Sequence, residues 1–305
     1  MKKKTIKVSE IIQFLNEEVE AVYGDTSSIT IDNVADPQHI TTSTLDWVNS
    51  NKTDKQSIAE NTIAKVVVTD TLVVYTEAMR AQEKVLICVK NPRKALALVI
   101  EHFFIKKEVG FIHPTAVIDK EAVIDKTAYI SPGCVVGKST IGKNTVLKPN
   151  VVIYDNVIIG DNCLIQAGAV IGTDGLGCMR ESDGRLIKFP HLGGVIIGDD
   201  VEIGANCQIA RGVLSDTIIK NGCKINGMCF VAHNCVLEEN VWITGNTMLC
   251  GTVHVEKNAT IFSSVIVRDQ RTIGKNAVIG MGAVVTKDVP AGEIWVGNPA
   301  KPIPE

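Results

Sequence analysis

From residue 112 onward, aliphatic residues recur along the chain at a fixed interval of six positions. The pattern is interrupted by a five-residue interval after Val136, a long polar segment after Ile171 and a ten-residue interval after Ile209. It then runs unbroken from position 219 to position 285. The unbroken register holds twelve residues: Ile219, Ile225, Val231, Leu237, Ile243, Leu249, Val255, Ile261, Val267, Ile273, Ile279 and Val285. A period of six fits neither an α-helix nor a heptad coiled coil, but it is the period of hexapeptide β-helix repeats.

Each six-residue unit supplies one short strand and one turn. Its aliphatic residue points inward, and a small residue, such as Ala122, Ala205 or Cys235, also fits inside. Three units close a triangular coil of about 18 residues, and coils stack at the strand-pairing distance of about 4.8 Å. The pattern therefore predicts a mainly β fold, a parallel β-helix over residues 109–289. Known hexapeptide proteins imply that it is left-handed.

Residues 1–108 do not follow the repeat and have the pattern of a small α/β domain. The segments "AKVVVTD" and "KVLICVK" are β-branched runs that suit buried strands. Two further segments have helical spacing, one with Ser9 as its expected N-cap and one beginning near Pro92. We therefore expect a small α/β domain over 1–108, followed by the β-helix and a tail over 290–305.

Two departures from the repeat are candidates for function. Residues from about 172 to 195 are glycine-rich and charged, and they are numerous enough to project as a loop. The interval from Ile209 to Ile219 is ten residues, where two complete units would need twelve. In a regular repeat, such departures mark a functional site or an adjusted corner.

Composition argues against several functional classes. The chain of 305 residues is 45% hydrophobic and carries a net charge of −3, which disfavours nucleic acid as the main partner. No apolar run suits a signal peptide or a membrane span, so we expect a cytoplasmic protein. The nine cysteines lack paired metal-type spacing. We expect them to act as small core residues, without a disulfide framework or a metal site.

Several segments resemble the UDP-3-O-acylglucosamine N-acyltransferase family of lipid A synthesis, and the likeness covers nearly the whole chain. They include "VKNPRKALALVIEHF", "IYDNVIIGDNCLIQAGAVIGTDGLG", "VIIGDDVEIGANCQIARG" and "VAHN". The resemblance implies an enzyme that moves an acyl group from a thioester to the amine of a UDP- or TDP-linked amino sugar, without a permanently bound cofactor. It also implies a homotrimer with active sites between subunits.

The chain departs from that family in ways that bear on its substrates. Ala210 stands where the family has an acid, and Leu176 and Cys178 replace aromatic residues of the loop. The family's helical extension for acyl carrier protein has no counterpart before Glu305, and the tail "VPAGEIWVGNPAKPIPE" is similar to that of sugar acetyltransferases that use coenzyme A. We therefore favour acyl-CoA as donor and another nucleotide-linked amino sugar, for surface polysaccharide or lipopolysaccharide, as acceptor. The alternative is the lipid A reaction itself, with acyl carrier protein.

His233 is the expected general base. N-acylation requires an amine to lose a proton as it attacks the thioester, and a histidine suits that role near neutral pH. His233 lies two positions after the inward Val231 and therefore faces outward, and its "VAHN" stands where the family has its base. Gly251 follows one coil later and should stack beside it. The resemblance implies that the Gly251 N–H binds the oxyanion of the reaction.

Other candidates bind the two ends of the substrates. The resemblance implies that residues 1–108 bind the nucleotide sugar, with Trp47 stacked on the nucleobase and Asn49 or Ser50 at its edge. Trp47 also suits the core of its domain. His254 is a candidate for the carrier phosphate or the sugar, or an ordinary solvated histidine. Lys301, in the tail similar to that of coenzyme A enzymes, is a candidate for the 3′-phosphate of coenzyme A.

The long loop supplies further candidates for contact with the sugar. Its backbone N–H groups can surround sugar or phosphate at three glycines: Gly172, Gly175 and Gly177. Asp174 is a candidate to hold the amine or a hydroxyl, and His191 a candidate to touch substrate. Asn226 stands where the family has an aspartate in the repeat before the histidine, and we include it as a substrate-binding candidate.

Two other functions compete with acyl transfer. A metal-dependent hydratase of the γ-carbonic-anhydrase kind needs three histidines with a close H-x4-H pair, and the six histidines here lack that spacing. A non-catalytic nucleotide-sugar-binding protein is the other alternative. The combination of His233 and Gly251 argues against it, and the missing acidic residues argue for it.

Overall fold

The computed structural model describes residues 5–303 and is mainly β. Residues 1–4 of the basic start and residues 304–305 of the predicted tail lie outside the described residues. The chain divides into two compact units between Lys107 and Glu108. Each unit has its own buried apolar core.

The N-terminal unit combines a four-stranded sheet with short helices. The strands lie in the order Val19–Tyr23, Val85–Val89, Val66–Thr69 and Leu45–Trp47, the first pair antiparallel and the others parallel. Its α-helices are Val8–Leu15, Lys55–Asn61, Glu77–Ala81 and Pro92–Val99. The minor elements are a 3₁₀ turn at Asn16–Glu18, a π-helical turn at Ile100–Phe104 and an antiparallel pair of strands, Ile6–Lys7 and Thr30–Ile31.

The sequence pattern of this unit is largely confirmed. Both β-branched runs form fully buried strands, and the last α-helix begins at Pro92 as expected. The prediction that Ser9 caps the first helix is wrong, because that helix already begins at Val8 with Lys7 at its N-cap. The backbone N–H of Val8 instead donates to the carbonyl of Ile29, so tertiary pairing sets the helix start.

The C-terminal unit is a parallel β-helix with three long sheets, which we name A, B and C. Sheet A consists of Phe111–Ile112, Tyr129–Ile130, Val146–Leu147, Leu164–Ile165, Glu202–Ile203, Lys224–Ile225, Trp242–Ile243, Thr260–Ile261, Val278–Ile279, Ile294–Val296 and an antiparallel Lys301–Pro302. Sheet B consists of Val117–Ile118, Val135–Val136, Val152–Ile153, Val170–Thr173, Gln208–Ala210, Phe230–Val231, Met248–Leu249, Ile266–Val267 and Val284–Val285. Sheet C consists of Val123–Ile124, Thr140–Ile141, Val157–Ile159, Val195–Ile197, Thr217–Ile219, Val236–Leu237, His254–Val255 and Thr272–Ile273.

The repeat builds the core of this unit. The aliphatic residue of every six-residue unit from Ile130 to Val285 is buried, and each such side chain stabilises the fold by about 1.5–3 kcal/mol. Ile112 is 46% exposed, because its strand in the first coil has a neighbour on one side only. The assignment of Ala205 to the interior is also wrong, since Ala205 is exposed and Cys207 fills that inward position. Six cysteines of the repeat are buried in the core: Cys134, Cys163, Cys207, Cys223, Cys229 and Cys235.

Both irregularities of the repeat lie in turns that join sheet B to sheet C, at an edge that we call the B–C corner. The long loop contains an antiparallel hairpin, Cys178–Arg180 with Leu186–Lys188. In the second irregularity, Ile209 and Ile219 lie on consecutive strands. The ten-residue interval is therefore one unit of six with four inserted residues (10 − 6 = 4), and the expectation of two shortened units is wrong.

Candidate active site

The B–C corner gathers most of the residues that the sequence predicts to act on a substrate. Four consecutive strands of sheet B pair in parallel, with a bulge between Ile171 and Thr173 in the first of them, so the turns that follow them are stacked one coil apart. The first turn is the long loop with Asp174, Gly175 and His191, and the second is the four-residue insertion. The third turn carries His233 and the fourth carries Gly251. Stacked turns of this kind are separated by about 4.8 Å, which brings their side chains into contact.

A network around the Asn234 side chain fixes the orientation of His233. The Oδ1 atom of Asn234 accepts a hydrogen bond from the Val213 N–H at 3.0 Å, and its Nδ2 donates to the carbonyl and the hydroxyl of Ser215, each at 3.0 Å. An N–H only donates and a carbonyl only accepts, so these partners determine which end of the amide is oxygen. His233 Nδ1 lies 3.1 Å from the same oxygen and therefore carries the hydrogen. The neutral imidazole then presents its lone pair on Nε2.

Gly251 lies directly against this ring. A Cβ atom added at Gly251 would lie 2.6 Å from both Nε2 and Cε1 of His233, closer than any real contact allows. The next residue is tied to the same coil, because the Thr252 N–H donates to the His233 carbonyl at 2.8 Å. Within residues 5–303, no acceptor receives the Gly251 N–H. The structure therefore places a small residue with a free backbone donor beside the basic nitrogen of His233.

His191 of the long loop is the second histidine at this corner. Its ring and that of His233 are 5.5 Å apart between centroids and meet edge to face at 75°. His191 is 6% exposed, and its Nδ1–H donates to the Phe189 carbonyl at 3.0 Å. A Cβ atom added at Gly175 would lie 2.6 Å from His191 Nε2 and 3.3 Å from His233 Cδ2. Gly175 thus lies against both imidazoles, where a side chain would not fit.

Asp174 is held by two cations. Its Oδ2 lies 2.6 Å from Lys188 Nζ and its Oδ1 lies 3.9 Å from Arg211 Nε. The hydrogen bond from Lys188 lowers the pKa of Asp174 below its ordinary value. Arg211 also donates to the carbonyls of Gly172 and Asp155, each at 2.8 Å, and so ties the base of the long loop to the coils beside it. The carboxylate of Asp174 is therefore ionised and oriented near the histidine pair.

The other two glycines of the loop differ in their surroundings. Gly172 has a φ of +93°, and a Cβ there would lie 2.8 Å from Val157 Cγ2, so this position requires glycine. Gly177 has open space around it and contacts neither histidine. Of the three predicted glycines, Gly175 is the one that the structure brings to His233.

Asn226 does not lie at the B–C corner. It follows the strand Lys224–Ile225 of sheet A, so it occupies the corner between sheets A and B. There it borders a groove of about 410 Å3 together with Glu202, Lys224 and Trp242. Its Oδ1 accepts the Gly227 N–H at 2.7 Å. Within one chain, the structure does not bring Asn226 to His233.

The two residues predicted to bind the carrier lie on different sheets. His254 lies in sheet C, with Nε2 3.2 Å from Glu238 Oε1. Hydrogen bonds from Lys220 and from His254 lower the pKa of Glu238. Lys301 is exposed on the last, antiparallel strand of sheet A. The structure places neither residue in the network around Asn234.

The N-terminal unit has its own candidate site. Trp47, Asn49 and Lys52 border a cavity of about 650 Å3 that is lined mainly by apolar groups. Trp47 is half-buried and packs against the core of this unit, as one of its two sequence interpretations expects. Its stacking on a nucleobase stays a prediction. Ser50 instead donates a hydrogen bond to the Asp70 carboxylate. The hydrogen bonds from Lys55, Leu72 and Ser50 together lower the pKa of Asp70. Asn49 Oδ1 accepts the Asn51 N–H at 3.2 Å.

Three residues that hold the B–C corner together were missed by sequence reasoning: Asn234, Ser215 and Arg211. Asn234 stands next to the histidine in "VAHN", and Arg211 stands in "IARG", so both lay inside motifs that the sequence singled out. Asn234 takes a left-handed φ of +59°, which asparagine tolerates better than most residues, so the turn and the amide network use the same side chain. Ser215 had no signal beyond its place in the irregular interval.

Neither a metal site nor a membrane-spanning helix is found in the described part of the chain. Among residues 5–303, no three His, Cys, Asp or Glu side chains are grouped in a way that would hold a metal ion. In the same part of the chain, no helix has the length and apolar character needed to span a membrane.

Comparison with known protein families supports the class that the fold defines. The model for "Bacterial transferase hexapeptide (six repeats)" matches residues 138–173. The model for "Hexapeptide repeat of succinyl-transferase" matches residues 194–226 and 272–287. Period, topology and family models together define a hexapeptide-repeat protein.

The curated relatives and solved structures that are similar to this chain include acyltransferases of UDP-linked sugars. UDP-3-O-acylglucosamine N-acyltransferases from Maricaulis maris and Methylobacterium nodulans are 40% and 42% identical over 139 and 141 residues, in each case 46% of this chain and 40% of the relative. The chain thus spans about two fifths of the length of these relatives. UDP-N-acetylglucosamine acyltransferase from Francisella novicida has a TM-score of 0.58 at 30% identity, over 63% of this chain and 70% of its own. The O-acyltransferase from Moraxella catarrhalis has the same TM-score at 31% identity, over 63% and 73%. The chain belongs to the hexapeptide-repeat acyltransferase family.

Proposed function

We propose that the protein transfers an acyl group from a thioester to the amino group of a UDP-linked amino sugar, with His233 as general base. The observation that carries this proposal is the fixed tautomer of His233. Its Nδ1–H is bound to Asn234 Oδ1, which leaves the lone pair on Nε2, the atom that lies against Gly251, a residue whose own N–H is free. A base and an oxyanion donor side by side are the two groups that acyl transfer to an amine requires.

The chemistry follows from these positions. The amine nitrogen attacks the thioester carbonyl carbon while Nε2 of His233 takes one of its protons. The resulting C–N bond and oxyanion form together, and the Gly251 N–H donates to that oxyanion. When the C–S bond breaks, the electron pair leaves with sulfur, and the imidazolium returns the proton to the thiolate. The products are an amide and a free thiol, and His233 is neutral again.

The acceptor is inferred from the names of the relatives and from the N-terminal cavity. The curated relatives are named for UDP-3-O-acylglucosamine, which supports the lipid A acceptor better than another amino sugar. The cavity beside Trp47 is large enough for a nucleobase, and an indole offers a flat surface for stacking. The same names support the lipid A reaction over the reaction with acyl-CoA and another amino sugar that the tail suggests.

We propose in addition that the protein is a homotrimer. Sheet B presents a row of partly exposed apolar side chains outward, directly before the B–C corner: Phe230, Met248 and Ile266. Such a row is typical of surfaces that become covered in an assembly. In a threefold arrangement, the corner that carries Asn226 in one subunit can face the B–C corner of the next.

A substrate panel tests the function. The full chain is incubated with acyl carrier protein or coenzyme A thioesters of several chain lengths, together with UDP-3-O-acylglucosamine or other UDP- and TDP-linked amino sugars. Mass spectrometry of the products should show one amide, and the pair of substrates that yields it identifies donor and acceptor. If nucleotide sugars bind but no pair yields an amide, the protein is a binding protein and the proposed activity is wrong.

A further inference from the structure

The buried nitrogen of His191 has no role in the chemistry described so far. Its Nδ1 donates to the Phe189 carbonyl, so in the neutral ring Nε2 bears a lone pair. That atom is fully covered, yet within residues 5–303 no donor reaches it. Leaving a buried acceptor without a partner is unfavourable, and such atoms in native proteins point to a ligand or a functional group.

The surroundings of this atom place it at the reaction centre. His191 and His233 meet edge to face, and Gly175 lies against both rings. The Phe189 carbonyl holds the ring so that Nε2 faces inward to Gly175 and not outward to solvent. Packing alone would not require this orientation, because a ring flipped by 180° would fill the same space.

Gly175 lies against this nitrogen. It covers Nε2 in this structure, and it belongs to an insertion outside the regular repeat. Gly172 precedes it with a φ of +93°, and Gly177 follows it in open space. Glycines at both ends of a short segment allow the backbone rotation by which the segment would move aside for a substrate.

We infer that His191 Nε2 accepts a hydrogen bond from the acceptor amine and thereby selects an amine over a hydroxyl as nucleophile; this rests on the proposed N-acyl transfer. A neutral amine carries two hydrogens when its lone pair attacks the thioester. His233 takes one of them, and the second needs another acceptor in a site closed to water. A hydroxyl carries a single hydrogen, so its oxygen lone pair would face the lone pair of His191, which is repulsive.

Kinetics with matched acceptors test this selection. We compare a UDP-linked amino sugar with the UDP sugar that has a hydroxyl in place of that amine. His191→Leu should lower kcat/KM for the amine about tenfold or more and should reduce the preference for amine over hydroxyl by a similar factor. His191→Gln, whose side-chain oxygen can accept the same bond, should restore much of both. His113→Gln, at a histidine of the first coil, serves as the control and should change neither.

A spectroscopic measurement on the unmutated protein is independent of folding defects. In a histidine nitrogen NMR spectrum, the resonance of His191 Nε2 should move when the amino sugar binds and should move less with the hydroxyl sugar. A resonance that stays in place with a bound amino sugar, or a His191→Leu variant with unchanged kinetics and preference, would overturn the inference while His233 keeps its role. If the unmutated chain acylates no amine at all, the proposed function itself fails.

Discussion

The side chain of Asn234 and the ring of His233 form one unit: Asn234 Oδ1 lies 3.1 Å from His233 Nδ1, and its amide is fixed by Val213 and Ser215. The base of the proposed reaction is therefore oriented by its neighbour in sequence. That neighbour is in turn held by the four-residue insertion of the coil before it. This relationship makes the irregular interval a part of the site.

Asn234→Ala should lower kcat about 10- to 100-fold, because the His233 ring loses the acceptor that fixes its tautomer. The loss of one partly buried hydrogen bond changes a rate by a factor of this size. The matched control is Asn276→Ala, which also replaces an asparagine with a left-handed φ, +58° against +59°, far from His233 in the sequence. Steady-state rates of both variants check the prediction. Equal losses in the two variants would show that turn strain, and not orientation of His233, causes the effect.

Gly251→Ala should lower kcat about 100-fold, because the new Cβ would lie 2.6 Å from the His233 ring and would displace it. Gly245→Ala is the control, since Gly245 has the same place in its six-residue unit and a Cβ there would be 3.3 Å from its nearest neighbour. Kinetics and a crystal structure of each variant are the measurements. An active Gly251→Ala enzyme with an undisplaced ring would contradict the assignment of this corner.

Arg211→Gln should loosen the long loop, because the guanidinium bonds to the carbonyls of Gly172 and Asp155 are lost. Limited proteolysis with trypsin should then cleave the hairpin at Arg180, Arg185 or Lys188 several times faster than in the unmutated chain. Arg268→Gln, at a largely exposed arginine paired with Asp269, should leave the cleavage rate unchanged. Indistinguishable rates for the two variants would count against this role of Arg211.

The free energy of unfolding should depend on pH through the carboxylate of Glu238. Lys220 and then His254 lower its pKa in the folded state below the ordinary value of 4.5. The stabilisation is thus present above pH 4.5 and is lost as the pH falls through the lowered folded value. Because the Lys220–Glu238 pair is partly exposed, this stabilisation amounts to about 0.5–1 kcal/mol.

The Glu238→Gln variant should unfold at a lower denaturant concentration than the unmutated chain at pH 6 and at the same denaturant concentration below pH 3. A constant difference across this range would contradict the linkage, and Glu181→Gln in the exposed hairpin serves as control.

The sequence predicted most of the β-helix because its period repeats one physical requirement. An aliphatic residue must face inward every six positions, so each position in the repeat has a defined place, and Gly251 was placed beside His233 by counting one coil. Counting failed where the chain leaves the repeat. The interval between Ile209 and Ile219 fits two units with a deletion or one unit with an insertion, and only three-dimensional pairing distinguishes them.

The loop residues were the hardest to place for the same reason. His191 has no position in the repeat, and its contact with His233 depends on the hairpin, on the Phe189 carbonyl and on the lack of a side chain at Gly175. Asn226 shows the opposite case. Its position in the repeat could be read from the sequence. Asn226 follows a strand of sheet A and His233 follows a strand of sheet B, so the two residues lie at different corners.

The most direct test of the account is the transfer rate of His233→Ala, measured by mass spectrometry of the amide product with the donor and acceptor that the unmutated protein uses. We predict a loss of at least about 100-fold in kcat, since general-base catalysis contributes about 10²–10⁴-fold, with an unchanged β signal in circular dichroism and an unchanged assembly. A folded His233→Ala variant that keeps its rate within a few fold of the unmutated protein would contradict the central claim.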